Sequence, residues 1–149
     1  MIVCKFGGTS VASAPQLERV RDIVFSDPRR RIVVVSAPGK RSDTDTKVTD
    51  MLIACAKDAL KGADVTKHVD AVAERYASIA RDLKMSLEVI AEIRADLLDR
   101  LNGPKVNEHR FMDAVKAAGE DYSAQLTAAY FNACGRPARY VDPRQAGLL

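Results

Sequence analysis

Two short apolar runs near the N-terminus are typical of β-strands. The first, residues 1–6, ends at two glycines, and the second, RIVVVS at residues 31–36, is rich in β-branched valine. Between them, Pro15 opens a segment whose apolar residues recur at helical spacing until Asp27 and Pro28. Strand, helix and strand in this order predict a βαβ unit with two parallel, buried strands.

The second strand is followed by a polar stretch with no periodic apolar positions. Residues 37–47 read APGKRSDTDTK, and they predict a long loop of the kind that often carries function. A helix is predicted to begin at Thr49 and Asp50 and to end near Lys61, just before Gly62.

Helical periodicity dominates the rest of the chain. Apolar residues recur at alternating steps of four and three over 65–83 and again over 87–101, which predicts two amphipathic helices. Two shorter helices, 108–118 and 121–134, are predicted on either side of Gly119, and residues 138–141 are predicted to form a third strand. The order of elements predicts an α/β fold.

Composition restricts the class of protein. The chain has 149 residues, of which 47% are hydrophobic and 29% charged, as expected for one folded domain. A net charge of +3 is too small to indicate a nucleic-acid partner. No apolar stretch approaches the roughly 20 residues of a membrane helix, so no membrane partner is predicted.

Three widely spaced cysteines, Cys4, Cys55 and Cys134, favour a reduced, cytoplasmic protein. They are interpreted as small buried hydrophobic residues rather than as nucleophiles.

Lys5 is the first candidate for chemistry. It lies at the carboxyl end of the first strand, where open α/β sheets bind ligands, and Gly7 and Gly8 after it permit close approach of a backbone to a ligand. This combination suits a phosphate, although the stretch matches neither the Walker A nor the GxGxxG pattern. The residues alone leave a second interpretation open, a lysine that extends to solvent beside a tight turn.

Four stretches resemble a known family. Residues 5–11, KFGGTSV, are similar to the sequence that opens aspartate kinases, within the amino-acid kinase family. The segments VVVSA at 33–37, TDML at 49–52 and Gly119-Glu120 with Ser123 and Leu126 resemble further family segments in the same order.

The resemblance implies a three-layer α/β/α fold with a mostly parallel sheet, of which residues 1–149 would be the N-terminal, aspartate-binding portion. The nucleotide-binding part and the ACT regulatory domains would lie outside these residues. The implied reaction transfers the γ-phosphoryl group of Mg²⁺-ATP to the β-carboxylate of L-aspartate, in the synthesis of lysine, threonine and methionine. The chain by itself is expected to be inactive, and the full-length enzyme to be a homo-oligomer.

The resemblance also assigns roles to residues. Lys5 would be catalytic and would bind the phosphates together with Gly7, Gly8, Thr9 and Ser10, whereas Ser36, Thr49 and Glu120 would bind aspartate; no metal ligand is assigned. Two of these have simpler explanations. Ser36 suits a strand end, and an acid such as Glu120 is stabilised near a helix N-terminus.

Two alternatives to an aspartate kinase remain open. One is another kinase of the same family, acting on glutamate, N-acetylglutamate or a nucleotide. The other is a non-catalytic binding or dimerisation module whose long helices, residues 64–101, pack against a partner.

Overall fold

The computed structural model describes residues 1–147. It contains two strands, five helices and one 3₁₀ helix. In chain order these are β1 (Ile2–Phe6), the 3₁₀ helix Gly8–Val11, α1 (Ala14–Phe25), β2 (Arg30–Val35), α2 (Val48–Leu60), α3 (Thr66–Asp82), α4 (Glu88–Asn102) and α5 (Glu108–Ala133).

The predicted βαβ unit is confirmed. β1 and β2 pair in parallel, with Val3 opposite Ile32 and Lys5 opposite Val34. Helix α1 crosses between them and has Pro15 in its first turn, where the missing N–H of proline costs no helical hydrogen bond. The α/β class and the parallel sheet are therefore as predicted.

The prediction that both strands are buried is wrong for one face of the sheet. Phe6, Val33 and Val35 pack against the core on the covered face. On the opposite face Val3 is 58% exposed, Ile32 43% and Val34 46%. Side chains alternate between the faces of a strand, and in residues 1–147 the helices cover only one of them.

Helices α2 to α5 form the larger part of the core. α2 packs against α3 and α5, and α4 packs against the same two helices. The predicted apolar stripes face inward, as shown by the burial of Val69, Val72, Ile79, Ile93 and Leu97. No helix within residues 1–147 is long and apolar enough to cross a membrane.

The predicted break at Gly119 is wrong, since α5 runs without interruption from Glu108 to Ala133. The glycine serves close packing instead. A Cβ atom at Gly119 would lie 2.8 Å from Ala37 Cβ and 3.2 Å from Leu52 Cδ1. The glycine is thus explained by close packing against the loop and α2, although its low helix propensity alone predicts a helix end.

The predicted third strand at residues 138–141 is also wrong, because those residues pair with no strand among the described residues. The Asn132 side chain instead bonds to both the N–H and the carbonyl oxygen of Ala138, at 2.9 and 2.8 Å. The backbone at that position is thus held by a side chain instead of by a sheet.

The interpretation of the cysteines holds for one of three. Cys55 is buried in α2, and burial raises the pKa of its thiol to about 11. Cys4 is half-buried and Cys134 is exposed. An apolar neighbourhood in the sequence therefore did not determine burial at those two positions.

Candidate functional site

The carboxyl ends of β1 and β2 meet at one edge of the sheet. The Ser36 N–H donates to the carbonyl oxygen of Phe6 at 3.0 Å, which extends the pairing by one residue beyond β2. Gly7 and Gly8 follow β1 directly, and residues 37–39 follow Ser36. The candidate phosphate turn and the start of the long loop are thus neighbours at the edge where open α/β sheets bind ligands.

The two glycines of the turn have different surroundings. A Cβ at Gly8 would lie 2.8 Å from the carbonyl oxygen of Ala37, whereas a Cβ at Gly7 would meet no atom of residues 1–147 within 4 Å. Gly8 is therefore required by the close approach of the loop. Gly7 faces open space, which is where a ligand can reach the backbone.

The 3₁₀ helix places two hydroxyl groups beside the glycines. The Ser10 N–H donates to the Gly7 carbonyl oxygen at 3.0 Å, and buried Val11 fixes the end of the turn in the core. Thr9 is exposed and Ser10 is half-buried. The turn therefore presents Thr9 to solvent on a short, well-packed segment.

Lys5 is exposed on the uncovered face of the sheet, beside Val34. It forms no ion pair with any of residues 1–147. Its ammonium group thus bears a charge that no described carboxylate neutralises, at the strand end next to the glycine turn.

The loop leads from this turn to the start of α2. Ala37, Pro38 and Gly39 are buried, and the Val48 N–H donates to the Pro38 carbonyl oxygen at 3.1 Å. This bond satisfies a donor of the first helical turn, which has no partner within the helix. Thr49 follows in that turn and is half-buried.

Glu120 lies in the middle of α5, so the helix N-terminus cannot explain its charge. It is exposed and forms no ion pair with a described residue. The preceding residue, Gly119, is where α5 touches Ala37 and Val48. Glu120 is therefore adjacent to the junction of the loop, α2 and α5.

The structure thus brings the four family-like stretches to one place. Residues 36–39 contact the glycine turn on one side, the start of α2 on another, and the middle of α5 on a third. Lys5, Ser36, Thr49 and Glu120 all lie on or next to these contacts.

Two neighbouring residues of α3 support this junction and were not singled out in the sequence. The buried Tyr76 hydroxyl donates to the Gly119 carbonyl oxygen at 2.8 Å, and burial raises the pKa of Tyr76. Arg75 Nη2 donates to the Gly39 carbonyl oxygen at 2.7 Å. A signal existed, because Arg75 follows Val72 by three positions and precedes Ile79 by four, within the apolar stripe of α3.

Comparison with known proteins finds relatives that are aspartokinases or aspartate kinases. The chain is 53% identical over its full length to aspartokinase 3 of Bacillus subtilis, and it spans 33% of that protein. It resembles the structure of Clostridium acetobutylicum aspartate kinase with a TM-score of 0.77 and 30% identity, over 87% of this chain and 29% of that one. Escherichia coli aspartokinase III, in a structure with aspartate and ADP, gives a TM-score of 0.69 and 26% identity, over 91% of this chain and 29% of that one.

The family model described as the amino acid kinase family matches residues 1–148, nearly the whole chain. The convergence of the four stretches agrees with this match, since each contributes to the same junction. The chain belongs to the amino acid kinase family.

Proposed function

We propose that this chain is the N-terminal, aspartate-binding part of an aspartate kinase, which forms 4-phospho-L-aspartate from ATP and L-aspartate. The observation that carries the proposal is the junction of the glycine turn, the loop, α2 and α5 around residues 36–39. The names of the relatives support the substrate, since each is an aspartokinase or aspartate kinase.

Lys5 and the turn after it would bind the transferring phosphoryl group. Phosphoryl transfer depends on positioning and on the neutralisation of charge at the phosphate oxygens. Lys5 supplies a cation that is unpaired within residues 1–147, and the open side of Gly7 lets phosphate oxygens approach the backbone N–H groups of Gly7 and Gly8. Thr9 and Ser10 add hydroxyl groups on the same turn.

Glu120, Thr49 and Ser36 would bind aspartate. Glu120 pairs with no described residue, so its carboxylate is suited to the substrate ammonium, and Thr49 and Ser36 offer hydroxyl donors for the substrate carboxylates. The attacking group is already a carboxylate, so the reaction requires no general base to remove a proton from it.

ATP would enter as its magnesium complex. Mg²⁺ is usually held at such sites by the substrate phosphates and one or two carboxylates, so the metal would arrive bound to the nucleotide phosphates. The cytoplasmic location and the homo-oligomer stay predictions.

The test is an assay of ADP release by the intact natural protein that contains this chain, with Mg²⁺-ATP and a panel of acceptors. We expect turnover with aspartate and none with glutamate, N-acetylglutamate or nucleoside monophosphates. Turnover with another acceptor instead of aspartate would mean that the protein is a different kinase of the same family, with that acceptor as its substrate.

The same assay on residues 1–149 alone should show no turnover, because phosphoryl transfer needs the whole set of charged groups in place. Normal turnover by this chain would contradict that expectation. If the intact protein binds neither aspartate nor ATP and forms a stable dimer, the result would favour a non-catalytic dimerisation module over a kinase.

A further inference from the structure

The long loop contains a polar unit beyond the residues assigned to the site. The Arg41 N–H and Nε both donate to Asp45 Oδ2, at 2.9 and 2.8 Å, and Arg41 Nη2 donates to Asp45 Oδ1 at 2.9 Å. The Asp45 N–H donates to the Ser42 carbonyl oxygen at 3.1 Å. The tip of the loop is thus closed by its own hydrogen bonds.

Arg75 of α3 contacts both ends of this loop. Its Nη2 atom lies 2.7 Å from the Gly39 carbonyl oxygen and 3.2 Å from Asp45 Oδ2. The residue is only 4% exposed. One buried guanidinium group therefore joins the start and the end of the loop to the helical core.

Gly39 connects Arg75 to the glycine turn. Its carbonyl oxygen accepts from Arg75, while its N–H donates to the Gly8 carbonyl oxygen at 2.9 Å. A Cβ at Gly39 would lie 2.9 Å from the carbonyl carbon of Gly8 and 3.0 Å from the Thr9 nitrogen. Arg75, Gly39 and the turn thus form a continuous series of short contacts.

Core packing alone does not explain why this buried position holds an arginine. Burial lowers the pKa of Arg75, since removing the guanidinium from water disfavours its charged form. Its Nε and Nη1 atoms are buried and have no acceptor among the described residues. An apolar side chain of similar size would fill this space without such a cost. What the guanidinium provides and an apolar side chain cannot is the directed bond to Gly39 together with the ion pair to Asp45.

We propose that Arg75 is a positioning residue that fixes residues 36–47 through Gly39 and thereby holds the Gly7–Gly8 turn in its phosphate-binding geometry. The positioning follows from the contacts of Arg75, and its effect on phosphate binding rests on the proposed function.

The first experiment measures positioning by amide hydrogen exchange in the intact natural protein. Arg75→Met keeps an unbranched side chain and removes the bond to Gly39. We expect exchange at the Gly39 amide to rise about tenfold or more, while buried amides of α3 stay unchanged. The matched control is Arg94→Met, which removes a partly exposed arginine that pairs with Asp70 across α3 and α4. It should leave Gly39 exchange unchanged.

The second experiment measures catalysis with the same variants. Misplacement of a binding group by about 1 Å can cost on the order of 100-fold in rate, so Arg75→Met should lower kcat/KM for ATP at least tenfold. Arg75→Ala should recover activity on addition of millimolar guanidinium but not of urea, which has a similar shape and no charge. A role in core packing alone would show no such difference.

The outcomes separate the two proposals. Parent-like Gly39 exchange in folded Arg75→Met would overturn the positioning role, whatever the kinetics. Absence of aspartate-dependent turnover in the parent would overturn the proposed function and leave the exchange result interpretable. If Arg75→Met does not fold, Arg75→Gln removes the charge and is too short to place a donor where Nη2 meets both the Gly39 carbonyl oxygen and Asp45 Oδ2. Parent-like exchange and kinetics in that variant would contradict the proposal.

Discussion

Lys5 and Glu120 are exposed charges for which residues 1–147 provide no ion-pair partner. Exposed unpaired charges are common on protein surfaces, so exposure alone does not mark a site. These two differ from other surface charges in position. Lys5 precedes the glycine turn, and Glu120 follows the glycine at which α5 touches the loop.

Substituting Lys5→Ala in the intact natural protein should lower kcat about 100-fold or more with a smaller effect on KM. The reason is that charge on the phosphoryl oxygens is stabilised most in the transition state. Steady-state kinetics with ATP and aspartate measures the effect. The control is Lys57→Ala, which removes an exposed lysine of α2. An unchanged kcat in Lys5→Ala would exclude Lys5 from catalysis.

Substituting Glu120→Gln should weaken aspartate binding and leave ATP binding nearly unchanged. A hydrogen bond to a charged group contributes about 1.5–3 kcal/mol, so the aspartate KM should rise about 10- to 100-fold. Glu92→Gln, on the exposed surface of α4, provides the control. Equal changes in the KM values of both substrates would indicate a general disturbance of the site instead of a contact with aspartate.

At the scale of elements, α5 shows how packing overrides local propensity. Gly119→Ala should destabilise the protein, although glycine to alanine within a helix ordinarily stabilises by about 1 kcal/mol. The new Cβ would lie 2.8 Å from Ala37 Cβ, and overpacking of this kind costs about 1–3 kcal/mol. Chemical denaturation measures the free energy of unfolding. The double variant Gly119→Ala with Ala37→Gly should recover part of the loss, and a stabilised single variant would contradict the packing explanation.

The loop between β2 and α2 should respond to acid through Asp45. The Arg41 guanidinium holds the pKa of Asp45 well below its usual range. A carboxylate whose pKa is lower in the folded than in the unfolded protein stabilises the fold. This stabilisation is fully present above the unfolded pKa of about 4 and is lost as the pH falls from there toward the folded pKa. Asp45→Asn should therefore lower the melting temperature at pH 7, and this difference from the parent should shrink below about pH 4. Asp43→Asn, at an exposed position in the same loop, is the control. A difference that does not change with pH would contradict the role of this charge.

At the scale of the whole molecule, local sequence patterns predicted most helices and strands. They did not predict features that depend on contacts between residues distant in the sequence. The apolar runs and helical periodicity were sufficient for β1, β2 and the first four helices, because each of these signals lies within its own segment. Gly119 and residues 138–141 were misinterpreted because their structure depends on Ala37 and on the Asn132 side chain.

The same distinction applies to the site. The family-like residues were recognised because they lie in short matched stretches, and their roles in binding and catalysis stay predictions. Arg75 was not predicted, since its partner Gly39 lies 36 positions away in the sequence. Its place in the apolar stripe of α3 indicates burial, but only the contacts in the structure identify Gly39 as its partner.

The uncovered face of the sheet gives a prediction for the chain as a whole. Val3, Ile32 and Val34 form an exposed apolar area on two paired strands, and such areas promote association in water. Replacing Ile32 and Val34 together with threonine keeps β-branched side chains suited to a strand. Residues 1–149 carrying both changes should associate less than the parent by light scattering, with a nearly unchanged melting temperature.

Val35→Thr is the matched control, because Val35 is buried on the covered face of the same strand. A buried hydroxyl without a partner costs about 1–3 kcal/mol, so this variant should lose stability that the outward-facing pair retains. Equal losses of melting temperature in both variants would mean that the two faces of β2 are equally buried in solution. An unchanged association in the outward-facing variant would show that this apolar area does not drive contact between chains.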